Sequence, residues 1–137
     1  MTANKRMRYG AAKRLLDAYC RAADGKPASS NKVPAKDRNP DGKHRDWWLE
    51  NQGTCPPADG PRTKAYLKAY LEIGEEIFFG TGVPLDGGYM HPDRAVMKTL
   101  LLGDYVVLDE TRHGRFVVTE TGRDLIRDVP TISTKDD

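Results

Sequence analysis

Cysteine, long apolar runs and net charge are all scarce in this chain, and each scarcity closes off a class of protein. Cys20 and Cys55 are its two cysteines among 137 residues. Their spacing fits no metal-binding pattern. The first six residues, MTANKR, are polar and basic, with no apolar core of the kind a secretory signal needs. Two reduced thiols in a cytoplasmic protein are therefore expected. No stretch approaches the ~18–20 apolar residues of a membrane span, so no membrane partner is expected. Hydrophobic residues make up 38%, below the ~45–50% of an average domain. With 13 glycines and 9 prolines, much of the chain is expected to be loop. A chain of this length still buries roughly two thirds of its unfolded surface, enough to fold without disulfide or metal.

The net charge of +2 hides a gradient. Residues 1–46 carry 12 Lys/Arg and 5 Asp/Glu, residues 47–90 carry 3 and 6, and residues 91–137 carry 7 and 9. The basic character thus belongs to the N-terminal third, which points to an anionic partner such as nucleic acid.

Residues 1–8 read as a basic, mobile arm. Ala12, Leu15, Leu16, Tyr19, Cys20 and Ala23 recur at helical spacing and predict an amphipathic helix over 9–24, stopped by Gly25 and Pro27. Residues 25–43, rich in proline and almost without apolar residues, read as a long loop. A short helical or irregular piece, 44–51, carries Trp47 and Trp48. A second helix is expected over 62–79, with Leu67, Tyr70, Leu71, Gly74, Ile77 and Phe78 facing inward. The glycine-rich stretch 80–90 reads as loop. Pro92 fits the first position of a helix ending at Leu102, with His91 as its cap and Gly103 as a left-handed terminator. Strands 105–109 and 115–119 form a hairpin, followed by a closing helix over 120–127 capped by Thr119 or Thr121. Residues 129–137 read as a polar tail. The expected architecture is mainly helical, α+β, with one domain over 9–128 and a two-stranded wing.

Residues 92–127 carry a recognisable order: a helix ending Leu100-x-x-Gly103, then Tyr105 and Val106, a hairpin, and Val118, Thr119, Gly122, Arg123, Leu125 and Ile126. This order resembles the second half of a winged helix-turn-helix domain of bacterial and phage type. The resemblance covers 36 of 137 residues. It implies a small, often dimeric DNA-binding regulator of the kind carried by phage or plasmids. In one respect the chain departs from the pattern. A helix-turn-helix turn has ~3–4 residues, whereas here 80–90 separate the helices. Either that stretch holds a short strand, or the unit does not read DNA in the usual way.

On this reading the helix 92–102 presents Arg94 and Thr99 to base edges and Lys98 to a phosphate. Arg112 and Arg115 of the wing, and Lys5, Arg6, Arg8, Lys13 and Arg14 of the N-terminal segment, meet phosphates of double-stranded DNA. Trp47 and Trp48 offer either an interaction surface or a core pair. A rival reading makes the chain a phage or mobile-element protein that inhibits a bacterial defence complex, as anti-CRISPR and anti-restriction proteins do. Its contacts would then be to protein, through Glu75, Glu76, Asp86, Asp104, Asp109 and Glu110. An enzyme is not expected. Asp37, Asp41, His44 and Asp46 fit no metal spacing, the glycine pairs follow no strand into a helix, and no nucleophile–base pattern stands out. No cofactor or metal is expected.

Overall fold

The computed structural model describes residues 6–28, 31–34, 45–50, 54–74, 77–79, 82–109 and 115–132. Its architecture is α+β, with helices packed around a small core and a hairpin wing near the C-terminus. Helix α1, Tyr9–Asp24, follows the expected boundaries. It buries Ala12, Leu15, Leu16, Tyr19 and Cys20, the stripe that a 3.6-residue period places on one face. Gly25 closes it in a left-handed turn, its N–H reaching the Arg21 carbonyl at 2.9 Å. Helix α3, Pro61–Gly74, packs against α1 and buries Tyr66, Leu67, Ala69, Tyr70 and Ile73.

The expected helix 62–79 is five residues too long. After Gly74 the chain becomes strand β2, Ile77–Phe79, which pairs antiparallel with β6, Arg115–Val118. Ile77, Phe78 and Phe79 suit a helix stripe and a strand equally well, and the open edge of the wing decides between them. The wing itself is β5, Val106–Asp109, paired with β6 in the register Val106↔Val118 to Asp109↔Arg115. The hairpin therefore supplies two strands of a three-stranded sheet, ordered β2-β6-β5, with β6 in the middle.

A second sheet occupies two segments expected to be loop. Strands β3, Val83–Leu85, and β4, Gly88–His91, form a hairpin, and β1, Asn31–Pro34, pairs with the other side of β4. The order β1-β4-β3 leaves Pro34 and Pro84 on edge strands, where a missing N–H is tolerated. The proline and glycine content that argued for loops here marks edge strands and tight turns. The remainder of 25–43 that lies beyond Ala28 and outside β1 falls outside the described residues, as does 110–114.

Helix α4, Arg94–Leu102, begins two residues later than expected. Asp93 is its cap, accepting from the Val96 N–H at 3.0 Å. The Asp93 N–H is itself held by the Tyr70 hydroxyl at 2.9 Å, which joins the cap to α3. At the other end Gly103 is not left-handed (φ −94); the left-handed residue is Asp104, φ 58. Gly103 is required for another reason: a Cβ there would run into the Tyr105 ring. Thr119 caps α5, Glu120–Leu125, by accepting from the Gly122 N–H at 3.1 Å. Gly122 lies so close to the Tyr105 carbonyl that a Cβ would collide with it. The Thr-x-x-Gly pattern thus seats α5 on the start of the wing.

One core cluster draws on α1, α3, α4, α5 and both sheets, with Trp48 of helix α2, Arg45–Leu49, inserted beside them. The polar tail begins later than expected, because Val129 and Ile132 pack against this core. The Tyr19 hydroxyl accepts from the Ile132 N–H at 2.9 Å and donates to Glu72 at 2.8 Å. No helix among the described residues is long and apolar enough to cross a membrane.

Candidate nucleic-acid interface

Helix α4 is mostly committed to the interior, which limits what it offers a ligand. It buries Val96, Met97, Thr99, Leu100 and Leu101. Thr99, expected on the solvent face, is 8% exposed and donates to the Pro56 carbonyl at 2.7 Å. Its hydroxyl ties the segment before α3 to α4, so it is not presented to base edges. Arg94 is half-buried at the α2–α4 junction. Its guanidinium stacks 3.7 Å from the Trp47 ring centroid and donates to the Trp47 carbonyl at 2.8 Å. That stack and that hydrogen bond fix the side chain against the protein. Lys98 is half-buried, and Leu102 at 59% is the exposed large apolar side chain of the helix.

The tryptophan pair serves the core. Trp48 is 1% exposed, and Trp47 meets it edge-on, with centroids 4.9 Å apart. The His91 ring sits 5.2 Å from Trp48 and 5.9 Å from Trp47, its Nδ1 3.0 Å from the Pro92 carbonyl. Trp47, half-buried, is the part of this cluster that reaches the surface. Of the wing cations, Arg115 is half-buried at the start of β6, opposite Asp109. Arg112 and Lys5 lie outside the described residues, as do Glu75, Glu76 and Glu110.

The N-terminal cations behave differently. Residues 6–8 are not an arm standing away from the domain. Met7 packs against the core, and its carbonyl accepts from the Asp86 N–H at the β3–β4 turn, 2.9 Å away. In an extended chain neighbouring side chains alternate. With Met7 turned inward, Arg6 and Arg8 are exposed. Arg8 then caps α1 with extended backbone (φ −75, ψ 157) and makes no side-chain cap hydrogen bond. The first turn of α1 holds no acidic residue.

Along α1, residues Gly10, Arg14 and Arg21 fall on one line at helical spacing, opposite the buried stripe, and all three are exposed. Lys13 is partly occupied, paired with Asp17 at 2.8 Å and donating to the Ala28 carbonyl at 3.3 Å. Although partial burial of Asp17 works against it, the Lys13 ammonium and the Ala28 N–H hold its carboxyl below the usual range. Between the 6–8 strap and α1 lies an open groove of about 620 Å³, lined by Arg6, Met7, Arg8, Gly10, Ala11, Arg14 and Asp86.

The structure therefore brings Arg6, Arg8 and Arg14 around one groove and places Arg94 and Thr99 elsewhere, in structural roles. Met7, Gly10 and Ala11 are the groove residues that sequence reasoning missed, and Asp86, named there for a protein contact, lines the same groove. The Arg6-x-Arg8 alternation and the Gly10–Arg14 spacing were readable signals. The hydrogen bond that folds the strap onto the β3–β4 turn was not. Among the described residues no group of three or more His, Cys, Asp or Glu could hold a metal ion. Set against protein-family models, curated proteins and solved structures, the chain matches none.

Proposed function

We propose that the protein binds duplex DNA mainly through its phosphates, using the basic face built by the 6–8 strap and α1. The observation that carries this reading is the exposure of Arg6, Arg8, Arg14 and Arg21 along the strap and the outer face of one helix. Guanidiniums arranged along a rod of ~1.5 Å rise per residue can follow a row of phosphates. The order α4, β5–β6 wing and α5 supports the winged-helix resemblance and the small-regulator role that comes with it. The engagement of Arg94 with Trp47 and of Thr99 with Pro56 argues for weak discrimination between sequences.

Binding of a labelled duplex at about 50 and about 200 mM salt tests this. Affinity is expected to fall steeply with salt. The double variant Arg8→Ala/Arg14→Ala should reduce the slope of log affinity against log salt by about 2. Absence of binding at low salt overturns the reading and moves the case to the rival, a protein partner.

A further inference from the structure

We propose that the groove between the 6–8 strap and the first turn of α1 is a preformed seat for a single phosphate group. The proposal rests on the DNA-binding reading, and it names the point at which a backbone phosphate is held. Three arginines of different origin line it: Arg6 and Arg8 from the strap, Arg14 from the second turn of the helix. The strap is fixed by Met7 in the core and by the Asp86 N–H, so the arginines are mounted on ordered backbone. Guanidiniums give charge-assisted, paired hydrogen bonds to phosphate oxygens.

Gly10 forms part of the lining. A Cβ there would meet nothing nearer than the Arg14 guanidinium, at 3.7 Å. Packing within the protein therefore does not demand a glycine. A bare backbone beneath Arg14 does allow an oxygen to approach the Gly10 and Ala11 amides, which have no acceptor within the helix. Among the described residues, Asp86 is the one carboxylate in the lining. It supplies countercharge when the seat is empty and opposes an anion when it is filled.

The shared chemistry is a phosphate, and its source is either the duplex backbone or a free phosphate compound. Amide NMR of the full chain, titrated separately with pyrophosphate and with a short duplex, distinguishes them. Both are expected to shift the Gly10 and Ala11 amides, and the duplex should displace pyrophosphate. Arg14→Ala should weaken pyrophosphate binding by roughly tenfold, with Arg14→Lys recovering part of the loss, and Asp86→Asn should tighten it. Both positions are at the surface, and the Asp86 tie to Met7 is made by its backbone, so folding is preserved. Pyrophosphate that binds while the duplex does not supports the seat, assigns it to a free phosphate compound and overturns the DNA reading. A duplex that binds with steep salt dependence, yet moves neither amide and ignores Arg14→Ala, overturns the seat and leaves the DNA reading standing.

Discussion

Gly10 gives up helix stability that its surroundings do not require it to give up. Its backbone is helical and an added methyl fits. Gly10→Ala is expected to raise stability by up to about 1 kcal/mol, read as a higher urea midpoint. A loss of stability would mean that the first turn of α1 is packed more tightly than described. The cysteines give a second contrast at this scale. Burial pushes the Cys20 thiol up to about 11, and the nearby Arg62 only partly opposes it. Cys55 is half-exposed. At mildly alkaline pH a thiol reagent should modify Cys55 promptly and reach Cys20 only as fast as the protein unfolds. Prompt labelling of both would contradict the α1–α3 packing.

Among the elements, α5 depends on one hydroxyl. Thr119 accepts from the Gly122 N–H and donates to the Asp104 carbonyl at 2.8 Å. Thr119→Ala should cost about 1 kcal/mol, measured by urea denaturation, and Thr119→Ser should recover most of it. This cap was legible to within two residues, because Thr119 and Thr121 both stand at the start of an acidic, apolar helical run, and the structure selects Thr119. Helix α1 was legible for a similar reason, since five buried residues at one period leave no rival reading. The strands around it were not. β1 has one apolar residue besides its proline, and its edges are chosen by β4, 54 or more residues away. β2 became a strand because β6 offered it an edge. In the candidate site, the cations were plain in the sequence, but their grouping was not. It depends on a backbone hydrogen bond from Asp86 to Met7, and no local pattern announces a contact across that distance.

For the molecule as a whole, one buried phenol joins parts that are far apart in the chain. Tyr19 of α1 donates to Glu72 of α3 and accepts from Ile132 beyond α5. A cavity of about 250 Å³ opens beside it, lined by Ala22, Ala23, Pro61, Ala65, Val129 and Pro130 among others, with Lys64 and Asp128 paired at 3.3 Å. The hydroxyl oxygen, accepting from the Ile132 N–H, therefore closes the C-terminal segment onto the helix pair, while the hydroxyl proton ties α1 to Glu72 of α3. Burial, with the Glu72 carboxylate adding to it, pushes the Tyr19 phenol from its ordinary 10.0 up to about 12. A raised value means that the folded protein holds this proton more tightly than the unfolded chain does. The associated stability is fully present below pH 10 and is lost as pH rises from there towards 12. Tyr19→Phe should cost about 1–3 kcal/mol near neutral pH, because Glu72 and the Ile132 N–H lose their partner. The same variant should lack the part of the alkaline decline that belongs to the phenol. Urea midpoints of both proteins, followed from neutral pH to about 12, are thus expected to converge as pH rises. Parallel curves would show that burial and Glu72 do not hold the Tyr19 proton in the folded protein.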